Sequence, residues 1–254
     1  MEDEIMLNHQ EVSKPLDLEM AYNVRDLGVY TNSRGKKLVQ NQIFRADGLH
    51  SLTQEDQEKL KLAGITAVID LRSNQEVEML PCVFCNASDV DYYRVPLLDQ
   101  VQSGGFEGGF PESMAGLYID LLENSKDEIA KVMRIIAGYP QRAVVFNCTA
   151  GKDRTGVIAM LLLELAGVEE KWIIADYAVS EENIRPLFKS QKEQLKRAGI
   201  ELPEYLFASS PREMEQTIEY LKSKYGSVGK YLESLDLTVD ERYAIQMKME
   251  GNVG

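Results

Sequence analysis

The chain has 254 residues, 44% of them hydrophobic and 27% charged, with 41 Asp and Glu against 28 Lys and Arg for a formal net charge of −13. That hydrophobic share excludes a disordered chain. The acidic balance repels nucleic acid and anionic membranes at long range and excludes both as obligate partners.

From the N-terminus, residues 1–22 form an arm with little periodicity, and residues 23–47 are short, strand-like and turn-rich, with NSRG (32–35) as a hairpin turn. SLTQEDQEKLKLAG (51–64) predicts a helix: Ser51 or Thr53 can cap it, acids fill its first turn, and Gly64 ends it. ITAVIDL (65–71) is an apolar run bounded by Gly64 and Arg72, hence a buried strand. DYYRVPLLD (91–99) predicts a further strand leading into the glycine-rich QSGGFEGG (102–109). A helical stretch follows from Glu112 to Ala137, broken near Asn124–Ser125. RAVVFN (142–147) is a third central strand, and TGVIAMLLLELAG (155–167) an apolar helix. Beyond it the pattern is helical, with Pro186, Pro203 and Pro211 as breakers.

Strands alternating with helices imply an α/β fold with a mostly parallel central sheet flanked by helices. Nothing reads as a linker, so a single domain over residues 1–254 is expected, residues 168–254 being a helical portion packed on the core. VIAMLLLELAGV (157–168) is shorter than the ~20 residues of a membrane span, and Glu164 interrupts it. The acidic opening MEDEIMLNHQ lacks the basic start and apolar stretch of a signal peptide. Three cysteines suit a reducing compartment, so a cytoplasmic location without an integral membrane segment is expected.

The chemistry concentrates in CTAGKDRTG (148–156), which follows a buried strand and opens a helix. A helix N-terminus carries unsatisfied N–H groups and the positive end of the dipole, which makes it an anion site. Gly151 lets the backbone turn so that successive N–H groups, through Thr149, Ala150, Gly151, Lys152 and Asp153, face one concavity. Five residues separate Cys148 from Arg154, enough to curl the loop and bring a guanidinium over the same anion with two parallel donors. The same surroundings favour the thiolate of Cys148, whose ordinary pKa is about 8.5. Thr155 can donate a hydroxyl hydrogen bond to that sulfur and ease its departure.

CTAGKDRTG resembles the signature of the protein tyrosine phosphatase superfamily, and more narrowly its bacterial tyrosine-phosphatase/lipid-phosphatase branch. NVRDLG (23–28), IFRADGLHSLTQEDQEKLKLAGITAVIDLRSNQE (43–76) and YGSVGKYL (225–232) match that branch in order. The resemblance implies a protein tyrosine phosphatase-like fold and phosphoester hydrolysis in two steps. Cys148 takes the phosphoryl group, Arg154 and the loop N–H groups hold its oxygens, and water releases phosphate. It implies no metal and no cofactor. Partners would be a phosphotyrosine protein, with phosphoserine, phosphothreonine and phosphoinositides as further substrates. Two aspartates compete as general acid: Asp99, after the YYRVPL strand, and Asp153, inside the loop. A second cation, Lys152, would suit a molecule with more than one phosphate.

One position departs from the family, which usually has His before the nucleophile where this chain has Asn147. A neutral amide cannot supply positive charge, so the alternative reading is a phosphate-binding relative with weak or no turnover. A third reading makes Cys148 a redox or arsenate-reducing thiol working with Cys82 or Cys85. Those two form a lone Cys-x-x-Cys, and the only histidines, His9 and His50, show no zinc-ligand spacing with them. Arg25, Asp26, Arg45, Asp70 and Arg72 are explained as well by buried ion pairs as by a place in the site. Oligomeric state is left open by these motifs.

Overall fold

The protein is described by a computed structural model covering residues 12–97, 111–197, 199 and 203–251. Five strands, β1 (Arg25–Asp26), β2 (Ile43–Ala46), β3 (Ile65–Asp70), β4 (Asp91–Arg94) and β5 (Ala143–Asn147), form one sheet in the order β1-β2-β5-β3-β4. All neighbours pair in parallel except β1 with β2. β5 and β3 occupy the centre, and β5 is buried along its whole length. This is why their sequences are nearly continuous apolar runs.

Side chains alternate between two cores. Val144 and Phe146 join Ile43, Ala67 and Ile69 in the larger one, which also takes Ile218, Tyr231 and Ile245 from the C-terminal helices. Val145 joins Phe44, Val68, Leu60 and Phe84 in the smaller one. α1 (Gln54–Leu62) starts from a capping box between Thr53 and Asp56, so Thr53 is the cap. Not among the expected elements is α2 (Asn74–Met79), a six-residue helix opened by a second capping box, between Ser73 and Glu76. α3 (Met114–Asn124) and α4 (Lys126–Ala137) meet at Ser125, where the expected break falls. α5 (Asp153–Leu165) is buried from Arg154 to Leu163, which explains an apolar composition on every face.

The C-terminal helices are α6 (Glu170–Asn183), α7 (Arg185–Arg197), α8 (Pro211–Tyr225), α9 (Val228–Glu233) and α10 (Val239–Glu250). Pro186 and Pro211 sit in the first turns of α7 and α8, where a missing N–H costs nothing. The NSRG turn is present, with Gly35 at φ 78° and the Asn32 carboxamide accepting from the N–H groups of Arg34 and Lys36. β4 ends at Arg94, although Val95 and Leu97 still donate to the carbonyls of Asp70 and Leu71. Asp99 and QSGGFEGG lie outside the described residues. Among the described residues no helix is long and apolar enough to cross a membrane.

Candidate functional site

β5 delivers its C-terminal residue, Asn147, to the central edge of the sheet, and Cys148 follows at 2% exposure. Between Cys148 and the start of α5 at Asp153 the chain folds into a tight loop. Gly151 takes φ 64°, and a Cβ there would stand 2.6 Å from the Ala46 carbonyl oxygen and 2.7 Å from the Asp47 nitrogen, so only glycine fits.

The loop carbonyls have partners outside it. Asn147 O accepts from Leu71 N at 2.8 Å, and Thr149 O from Gly48 N at 3.0 Å. Cys148 O accepts from the Asn147 carboxamide at 3.4 Å. The Asn23 carboxamide donates to Ala150 O at 3.3 Å and to Gly151 O at 3.0 Å, and Arg45 donates to Gly151 O at 2.6 Å. In a trans peptide a carbonyl and the following N–H point in opposite directions. Holding the carbonyls outward therefore turns the N–H groups of Thr149 to Lys152 inward, where among the described residues none donates to a protein acceptor. Such a run of N–H groups, continuous with a helix N-terminus, is an arrangement able to accept an anion.

Arg154, the second residue of α5, is 6% exposed and lays its guanidinium on Glu76 of α2: Nη1 to Oε2 at 2.6 Å and Nη2 to Oε1 at 2.8 Å. The Thr149 hydroxyl donates to the same carboxylate and accepts from Arg154 Nη2 at 3.3 Å. Burial alone would raise the pKa of Glu76, but the hydrogen bonds and charge of Arg154 outweigh it and bring the group to about 2. Burial likewise opposes the charge on Arg154, yet Glu76 and the neighbouring Cys148 hold its pKa above the ordinary value. Among the described residues Thr155 Oγ1 is buried without a partner, as is Asn147 Oδ1. A buried hydroxyl left unsatisfied is an uncommitted donor.

The side chains of Lys152 and Asp153 have partners of their own. The Lys152 ammonium is fully buried and donates to the carbonyls of Leu206 and Ala208, each at 2.8 Å. Its side chain is thus occupied on the side away from solvent. Asp153 Oδ1 accepts from the Tyr118 hydroxyl at 2.5 Å and lies 3.4 Å from Lys152 Nζ. Because Tyr118 gives its single proton to Asp153, Tyr177 must donate to Tyr118 across 2.7 Å, forming a buried Tyr177–Tyr118–Asp153 chain.

Of the residues left open between ion pair and site, Asp70 pairs with Arg72, and Arg25 and Arg45 converge on Asp176 of α6. Sequence reasoning missed Glu76, Asn23, Asp176 and Tyr118. Only Glu76 carried a local signal, the Ser73-x-x-Glu76 capping box. Cys82 is buried and Cys85 exposed, and all three thiols are free. Burial pushes Cys82 up to about 12, which leaves it an inert thiol.

Residues 16–250 match the model of the tyrosine phosphatase family. A tyrosine-protein phosphatase of Nostoc commune is 37% identical over 138 residues, which is 54% of this chain and 47% of that protein, so the chain spans about half the length of that relative. The triple specificity protein phosphatase PtpB of Mycobacterium tuberculosis is 27% identical over 85% of this chain and 92% of its own. A crystal structure of P. aeruginosa TpbA aligns over 66% of this chain and 78% of its own at 12% identity and TM-score 0.39, too distant to bear on the site. With 235 of 254 residues inside the family match (250 − 16 + 1), the chain belongs to the tyrosine phosphatase family.

Proposed function

We propose that the protein is a cysteine-dependent phosphomonoesterase acting first on phosphotyrosine. The observation that carries this reading is the conjunction of the Cys148 thiol, inward N–H groups from Thr149 to Lys152, and an Arg154 fixed by Glu76. Cys148 Sγ attacks phosphorus, and the ester oxygen leaves with a proton from Asp99 or Asp153. Water then attacks the cysteinyl phosphate, releasing inorganic phosphate and the thiolate. Charge developing on the equatorial oxygens meets donors already in place, which is the economical form of transition-state stabilisation. The free hydroxyl of Thr155 receives the departing thiolate.

Phosphotyrosine ranks ahead of phosphoinositides because the Lys152 ammonium, which would suit a second phosphate, is engaged with Leu206 and Ala208. Phosphoserine and phosphothreonine are the further substrates to test, a breadth that the printed name of the Mycobacterium tuberculosis relative attributes to that protein. The three free thiols suit a reducing, cytoplasmic setting. Asn147 favours a second reading, a phosphate-binding relative with little turnover, since its amide lends no positive charge beside Cys148.

The test is phosphate release without added metal from a phosphotyrosine peptide, a phosphoserine peptide and a phosphoinositide, with Cys148→Ser alongside. Release that vanishes in the variant supports the enzyme. Orthovanadate binding without release favours the second reading. Asp99→Asn and Asp153→Asn, compared on good and poor leaving groups, identify the acid: the true donor's loss slows poor leaving groups far more.

A further inference from the structure

The register of the sheet sets Arg25 of β1 directly opposite Arg45 of β2. Like charges facing each other across strands are destabilising, and both of these are fully buried. One carboxylate stands between them. Asp176, 1% exposed, accepts from Arg25 Nη1 at 3.2 Å through Oδ1 and from Arg45 Nη1 through Oδ2. The Tyr30 hydroxyl donates to Oδ1 at 2.8 Å. The two cations share the one carboxylate they contact, with the buried Asp47 carboxylate acting on Arg25 as well, and each buried guanidinium still needs acceptors for its remaining N–H groups.

Arg45 finds a further acceptor in the loop. The second guanidinium nitrogen of Arg45 donates to the Gly151 carbonyl at 2.6 Å, the shortest contact holding a loop carbonyl. Asn23, which follows two residues after Ala21 in the small core, holds the same carbonyl and that of Ala150. Its own carboxamide oxygen accepts from Asn183 at the end of α6.

We infer that Asp176, acting through Arg45, and Asn23 are positioning residues for oxyanion binding. They fix the Ala150 and Gly151 carbonyls outward and so aim the Gly151 and Lys152 N–H groups at the bound phosphate. The inference rests on the reading of the loop as a phosphate site. It also supplies positive charge from behind the loop, where Asn147 supplies none. The Gly151–Lys152 peptide bridges the two: a cation on its carbonyl oxygen polarises the N–H on its other side. None of these residues touches the reacting atoms.

The experiment measures orthovanadate affinity by calorimetry, with turnover and thermal melting in parallel, for wild type, Arg45→Lys, Asn23→Ser and Tyr30→Phe. Lysine keeps the charge but cannot span Asp176 and Gly151 together. Serine is too short to reach the loop carbonyls. Tyr30→Phe removes a hydrogen bond to the same Asp176 carboxylate without touching the loop. Arg45→Lys and Asn23→Ser should each weaken orthovanadate binding by about tenfold or more. Tyr30→Phe should leave it within about twofold at a comparable loss of melting temperature. If Arg45→Lys does not fold, Asn23→Ser against Tyr30→Phe decides the matter alone. Wild-type affinity in folded Arg45→Lys or Asn23→Ser, or an equal loss in Tyr30→Phe, would overturn the inference. A wild type that binds no orthovanadate would sink the phosphate-site reading itself. One that binds but does not turn over would sink only the enzyme reading and leave this comparison intact.

Discussion

Arg154 and Glu76 lie 78 residues apart in sequence, yet the two terminal nitrogens of one meet the two oxygens of the other at 2.6 and 2.8 Å. Glu76 also accepts from Ser73 N at 2.7 Å, so the residue that closes the capping box of α2 is the one that orients the guanidinium. A planar bidentate pair restricts the fork to one orientation, which a single point charge could not do.

Glu76→Gln should therefore lower kcat/KM on a phosphotyrosine peptide by about tenfold to a hundredfold, in line with breaking a largely desolvated charge pair. Steady-state kinetics checks this, and a value within twofold of wild type would contradict it. The pH dependence follows from the depressed pKa. A carboxylate at about 2 in the folded state against 4.5 ordinarily contributes stability that is present above 4.5 and lost as pH falls toward 2. Acid melting of wild type should thus be steeper between pH 4.5 and 2 than that of Glu76→Gln.

Thr155→Val separates stability from chemistry. Among the described residues the threonine hydroxyl is buried without a partner, so replacing it with a methyl of the same shape should leave stability unchanged or raise it by about 1 kcal/mol at most. On the proposed mechanism turnover should fall, because Thr155 is the donor to the departing thiolate. A larger burst of leaving group followed by slower phosphate release is the expected signature, read by rapid mixing.

Gly151→Ala should be damaging out of proportion to one methyl group. Its Cβ would meet backbone atoms of Ala46 and Asp47, which cannot swing aside like a side chain, and φ 64° adds about 1–2 kcal/mol of strain. The expected result is a clear drop in melting temperature together with loss of orthovanadate affinity. An unchanged affinity would mean that the loop tolerates a different path.

Asp47 predicts the opposite pH trend to Glu76. It is buried, and despite accepting from the N–H groups of Tyr22 and Asn23, burial pushes it up from 3.8 to about 6. A carboxyl that holds its proton more tightly when folded favours the folded state below pH 3.8, and that contribution is lost as pH rises through about 6. The size is about 3 kcal/mol at most. Asp47→Asn should remove this slope from melting measured between pH 4 and 8, leaving a pH-independent offset from the lost acceptor. A slope of the same size in the variant would assign it to another group.

Much of the scaffold was legible in sequence because its signals are local. ITAVIDL and RAVVFN read as central strands through their apolar runs, Ser51 or Thr53 as a cap through the acids after them, with the structure choosing Thr53, and the break at Ser125 through a lapse in helical pattern. α2 was not legible, since six residues of NQEVEM give too little periodicity to register and the helix is held from outside, by Glu76 on Arg154.

The form of the loop was determined by sequence alone: a thiol at the end of a buried strand, five intervening residues with a glycine that turns left-handed, and an arginine at the mouth of a helix. What the tertiary structure decided is where the surrounding charges go. Lys152, two residues before Arg154 in the motif, turns to the carbonyls of Leu206 and Ala208, whereas Arg45, over a hundred residues upstream, reaches the Gly151 carbonyl. Long-range partners of this kind leave no trace in spacing. Direction for a buried cation is set by which unsatisfied carbonyls the packed elements bring within about 3 Å, and that is known only once the elements are packed.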